Sequence, residues 1–152
     1  MKKILLLFVM AGLMFSCQQP SSDIAVVSAP VDSLINNWGI SWNNHDSAAV
    51  RNMFASDALL TDDVVIASGA DEISAKMISP YIRSVSNFKA SKLQDWSTNE
   101  RAGYTGRYEF DAVVNNSVVA KPQGVFSVNW IKTESGEWKI TTAVIYSFVE
   151  QK

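Results

Sequence analysis

The apolar positions of the first half of the chain recur at helical spacing, and those of the second half alternate. Val31, Leu34, Ile35, Trp38 and Trp42 fall on one helical face directly after Pro30, which predicts a first helix. The polar run Asn43, Asn44, His45 and Asp46 ends it, and Asp46 is placed to cap a short second helix whose inner face carries Val50, Met53 and Phe54. Two short apolar runs, Leu59-Leu60-Thr61 and Val64-Val65-Ile66, flank Asp62-Asp63 and predict a hairpin. Gly69 followed by Glu72 marks a third helix start, and Ile73, Met77, Tyr81 and Val85 continue one face of it. Pro80 removes an amide donor within that pattern and predicts a kink or split near Ser79.

From Phe88 the period changes to two. Segments 88–98, 103–114, 124–133 and 137–149 read as four long strands, separated by turn-forming runs at 114–117 and 134–136. Helices first and antiparallel strands afterwards predict an α+β domain with the helices on one sheet face. Tyr104, Tyr108 and Phe110 share one strand face and should look toward the helices, and Phe126, Val128 and Trp130 share a face on the next strand. The alternation of the last strand puts Trp138, Ile140, Thr142, Val144, Tyr146 and Phe148 together.

The first residues carry a different message. Lys2 and Lys3 precede an apolar run over residues 4–15, which is too short to span a bilayer, where about 20 residues are needed, and reads as a signal-peptide core. The run ends in Phe15-Ser16-Cys17 and resembles a bacterial lipoprotein signal, although Phe15 is larger than the residue usual there. The expected organisation is a signal peptide over 1–16, a tether over 17–29 lipidated at Cys17, and one domain over 30–152. Two acyl chains suffice for stable attachment, so contact with the membrane is expected through the lipid on Cys17 alone. The resemblance implies an exported protein of the cell envelope, anchored in the outer membrane and facing the periplasm.

The formal charge moves from −2 to −4 once Lys2 and Lys3 leave with the leader. A mildly acidic domain without a basic cluster is not a nucleic-acid binder, because that affinity rests on neutralising phosphates. Cys17 is the one cysteine and His45 the one histidine, too few nitrogen and sulfur ligands for a zinc or iron site, and no cofactor is expected. His45 itself sits in a polar turn between helices and is expected at the surface.

The order and identity of several segments resemble the nuclear transport factor 2-like superfamily, in its SnoaL-like branch. The likeness rests on Trp42 through Asp46 with the Val50, Met53, Phe54 face, on Ala55-Ser56-Asp57-Ala58, on Gly69 through Ile73, and on Gly124 through Trp130 leading into Gly136 through Ile140. It implies a cone in which a curved sheet wraps three helices around a pocket, and a homodimer through the outer sheet face. It implies no single activity, since relatives include isomerases, cyclases, dehydratases, ligand binders and association domains. Where many such relatives carry a histidine on the last strand, Ile145 and Tyr146 precede Ser147.

Three functions fit. The first is binding of a small apolar or aromatic molecule in the cone by Trp38, Trp42, Tyr81, Trp96, Tyr104, Tyr108, Trp130 and Tyr146, whose rings supply apolar wall and oriented donors. The second is association within a cell-envelope complex. The third is acid-base chemistry of the isomerase, dehydratase or hydrolase kind, with Asp62 or Asp95 moving a proton and Tyr104 or Tyr108 donating to an oxyanion. Asp62 and Asp63 are adjacent, so a strand can turn one of them inward and not both.

Overall fold

The structure, a computed structural model, describes residues 28–148. The leader, Cys17, most of the tether and Val149 lie outside the described residues.

Helix α1 spans Val31–Asn43 and buries Val31, Ile35, Trp38 and Trp42, the face its spacing predicts. Helix α2 spans Ser47–Asn52, and the Asp46 side chain caps it by accepting from the Ala49 amide at 2.9 Å. His45 bridges the two helices at φ 55°, and its Nε2 donates to the Val85 carbonyl at 2.9 Å. Phe54 is not helical as the pattern suggested: it opens strand β1, Phe54–Thr61, and is buried there. Strand β2, Ile66–Ser68, pairs antiparallel with β1, so Val64 and Val65 belong to the turn of that hairpin.

The third helix has three segments: α3 at Ala70–Ile73, a π turn at Ser74–Ile78 and α4 at Ser79–Tyr81. The Ser79 amide reaches back five residues to the Ser74 carbonyl. The widened turn sits directly before Pro80, where it relieves the crowding between the proline ring and the preceding turn. It also inserts one residue into the helical face. The buried positions become Ile73, Ile78 and Ile82, while Met77 and Tyr81, which a regular helix would turn inward, move toward the rim.

Strands β3 at Val85–Ser97, β4 at Arg101–Val114, β5 at Ser117–Ala120, β6 at Gln123–Lys132 and β7 at Trp138–Ser147 complete a sheet of order β2-β1-β7-β6-β4-β3, with β5 on the end of β4. Short strand β5 was not anticipated; it follows a two-residue turn in which Asn115 and Asn116 both take positive φ, the geometry that matches strand twist. Every pair is antiparallel except β1 with β7. Helix α1 packs across β3 and β4, and α2 packs with the third helix against β1. The core therefore lies between the helices and the inner sheet face.

Two of the bulges in the sheet redirect side chains expected in that interior. On β3, Lys92 pairs with Gly106 but Gln94 with Thr105, so Leu93 is an extra residue. On β7, Ile140 pairs with Trp130 but Thr142 with Asn129, so Thr141 is extra. One added residue exchanges the two faces of everything beyond it. Trp96 and Tyr146, both expected inside, are turned to the outer face, where they are 47% and 58% exposed.

Candidate functional site

Between the helices and the inner sheet face a cavity of about 380 Å³ opens to solvent. Helix α1 supplies Trp38 and Trp42 because they lie four residues apart on its buried face, and their ring centroids are 6.3 Å apart. Met77 and Tyr81 reach it from the third helix. The sheet contributes Phe88, Tyr108, Phe110 and Phe126. Tyr108 is the hub of these rings: Phe88 and Phe110 stack on it at 6.5 and 6.0 Å, and Phe126 meets it edge-on at 6.2 Å. Such offset and edge contacts add about 0.5–1.5 kcal/mol each beyond burial, which makes a stiff wall.

Gly124 makes the position of Tyr108 possible. A methyl group there would lie 2.8 Å from the tyrosine ring and 2.1 Å from the Tyr146 carbonyl oxygen, so only a residue without a side chain lets the strands and the ring approach this closely.

Few polar groups enter. The Tyr108 hydroxyl and the Ser147 hydroxyl share a hydrogen bond of 2.9 Å on the cavity wall. Asp63 Oδ2 accepts from the Ser147 amide at 3.0 Å and ties the β1–β2 turn to the end of β7. In the same turn Asp62 Oδ1 accepts from the Val64 and Val65 amides at 2.8 and 2.6 Å, and Asp62 lines the cavity. Burial raises the Tyr108 hydroxyl above its ordinary pKa, the Ser147 bond opposes this, and the negative charges of Asp63 and Asp62 reinforce it. The Trp42 indole N–H is buried with no partner among the described residues, at a cost of about 1–3 kcal/mol in such settings.

Neither a protein-family profile nor any curated protein matches the sequence. Solved structures do match. A nuclear transport factor 2-like protein of unknown function from Shewanella oneidensis superposes with a TM-score of 0.65 at 21% identity, over 76% of this chain and 95% of that one. A ketosteroid isomerase-like protein from Erwinia carotovora gives 0.68 at 14% identity, over 78% and 94%. A nuclear transport factor 2-like superfamily protein from Salmonella enterica gives 0.67 at 14%, over 80% and 91%. The fold is nuclear transport factor 2-like.

Within this nuclear transport factor 2-like cone the structure sorts the residues singled out from sequence. Trp38, Trp42, Tyr81, Tyr108 and Asp62 converge on the one cavity. Tyr104 and Trp130 are buried but do not line it. Tyr104 faces a separate groove between α1 and β3, and burial raises its hydroxyl pKa, with Lys92 opposing and Asp32 and Asp95 adding to the rise. Asp95 is at the surface, where Lys92 bridges it at 3.2 Å and Asp32 at 2.9 Å. Trp96 lies over Gly103 on the outer face.

Phe88, Phe110, Phe126, Met77, Ile145 and Ser147 also line the cavity and were not named as site residues. Phe110 and Phe126 carried a signal, since each shares a strand face with a predicted inward aromatic. Ile145 and Ser147 carried none, because the Thr141 bulge reverses their face.

Proposed function

We propose that the chain is an exported, lipid-anchored domain of the SnoaL-like branch that holds a small apolar or aromatic molecule in its cone. The observation that carries this reading is the open cavity itself. An interior filled by its own aromatic rings would have left no room, whereas about 380 Å³ remains among seven aromatic side chains with one hydroxyl pair set into the wall. That is the composition of small-molecule sites in general, apolar with a few fixed polar groups. The lipid on Cys17 would hold the domain in the envelope, facing the periplasm. The outer sheet face, with Leu59, Val144 and Tyr146 exposed on neighbouring strands, suits a homodimer.

The direct test is native mass spectrometry of the protein purified from its envelope, together with thermal shifts across a library of apolar aromatics. Binding predicts a bound small molecule or a shift that Tyr108→Ala and Trp38→Ala abolish. No adduct and no shift across the library overturns the reading. For the anchor, intact mass decides: a chain starting at Cys17 without acyl addition ends that part of the proposal.

A further inference from the structure

The charges around the cavity are one-sided. Asp62 is the only ionisable acid or base among the lining residues apart from tyrosine, and no lysine, arginine or histidine lines it among the described residues. Asp63 is next in the chain and places a second carboxylate against the Ser147 amide, one step behind the wall. The Asp62 carboxylate is only half used: Oδ1 takes both turn amides, and Oδ2 accepts from no group among the described residues. One bond joins the Tyr108 and Ser147 hydroxyls, and the charged Asp62 oxygen is a stronger acceptor than either of them.

The walls point the same way. Trp38, Trp42, Phe88, Tyr108 and Phe110 line the space. Aromatic faces carry negative potential and attract cations, most strongly for tryptophan and most effectively where water is excluded. An anion in the same space would meet the Asp62 carboxylate, with Asp63 behind it, and an aromatic lining with no counter-charge, a combination that costs more than it returns.

Building on the binding reading above, we infer that the ligand is a lipophilic amine, protonated at neutral pH, whose aromatic or alicyclic body sits among the rings while its ammonium group meets the free oxygen of Asp62. Carboxylic acids of the same shape are disfavoured. The field of the two carboxylates reaches into the cavity, since it helps raise the Tyr108 hydroxyl above its ordinary pKa.

Three probes of one shape test this: naphthylethylamine, naphthylethanol and naphthylacetate, titrated calorimetrically against the full chain in lipid nanodiscs with empty nanodiscs subtracted. The amine should bind about tenfold tighter than the alcohol, the factor one favourable charged contact contributes, and the acid about tenfold more weakly than the alcohol. Asp62→Asn keeps an Oδ1 for the turn amides and removes the charge, so the ratio of amine to alcohol affinity should fall to about one. Far-UV circular dichroism confirms that the variant is folded, and the wild-type ratio is an independent reading. If the alcohol binds as tightly as the amine, or the ratio survives Asp62→Asn, the charge inference is overturned while the binding reading stands. If none of the three binds, the charge inference falls, and the library screen above decides the binding reading separately.

Discussion

The π turn before Pro80 makes a prediction that separates two helical registers. Ile78 is five positions beyond Ile73, so a regular helix would carry it about 140° away from the buried face and bring Met77 beneath Ile73. The π turn returns Ile78 to that face, and Ile78 is 1% exposed while Met77 is half-buried on the cavity wall. Ile78→Ala removes three carbons from a filled interior, about 2.4 kcal/mol at about 0.8 kcal/mol per carbon. Partial collapse leaves a void of about half the deleted volume, and at about 24 cal/mol per Å³ this adds about 1 kcal/mol, for a total of about 3–4 kcal/mol. Met77→Ala only widens a space that is already open, and about 1 kcal/mol is expected. Urea unfolding measures both, read from the midpoint at constant slope. If Met77→Ala costs as much as Ile78→Ala, or Ile78→Ala costs below about 1 kcal/mol, the register argument fails.

Tyr108→Phe keeps the stacked ring and leaves the Ser147 hydroxyl unpartnered; unfolding stability should fall by about 1 kcal/mol, with a larger loss showing that the ring has moved. Gly69→Ala forces an alanine to φ +84° with its methyl 2.9 Å from the Ser56 carbonyl, so a loss of at least about 1–2 kcal/mol is expected by the same melts, and a neutral result would contradict the turn geometry. Glu72 is held below the ordinary carboxylate range first by the bond from Lys76 and then by the Ser68 amide. A depressed carboxyl stabilises the fold above its unfolded pKa, and the contribution is lost as pH falls through the folded value. Glu72→Gln should therefore flatten the acid limb of the stability curve, and an unchanged limb would deny the shift.

How much of this was readable without coordinates depended on whether a segment kept its period. Helix α1 did, because Val31 through Trp42 satisfy helical spacing and core burial with the same residues. Strand β4 did as well, and Tyr104, Tyr108 and Phe110 face where the alternation puts them. Phe54 misled because it sits four residues beyond Val50 and fits a helical face as well as a strand start; β1 shows no alternation over Ala55-Ser56-Asp57-Ala58 to correct the reading. Pro80 announced a disturbance but not its sign. A kink would have preserved the inner face, whereas an inserted residue moved it from Met77 and Tyr81 to Ile78 and Ile82. Asp62 was visible as one of two adjacent carboxylates, while the hydroxyl it accompanies, on Ser147, was hidden by Thr141.

The same bulges that defeated the alternation are what leave the cone hollow. Had β7 stayed in register past Ile140, Thr142, Val144, Tyr146 and Phe148 would face the helices, and two of those are aromatic rings directed at Tyr108 and Phe126. With Thr141 inserted, the inward set becomes Ala143, Ile145 and Ser147, which are smaller and include one hydroxyl. The Leu93 bulge acts likewise on β3, where it sends the Trp96 indole outward to cover Gly103 and leaves Asp95 on the inner register opposite Tyr104. A bulge costs ladder bonds and gives the core nothing that an unbroken strand would not provide. Its effect here is to remove volume from the interior and set Ser147 beside Tyr108. Deleting Thr141 should then restore the simple alternation, drive Tyr146 into the cavity, and abolish binding of any ligand in the cone even where the fold survives.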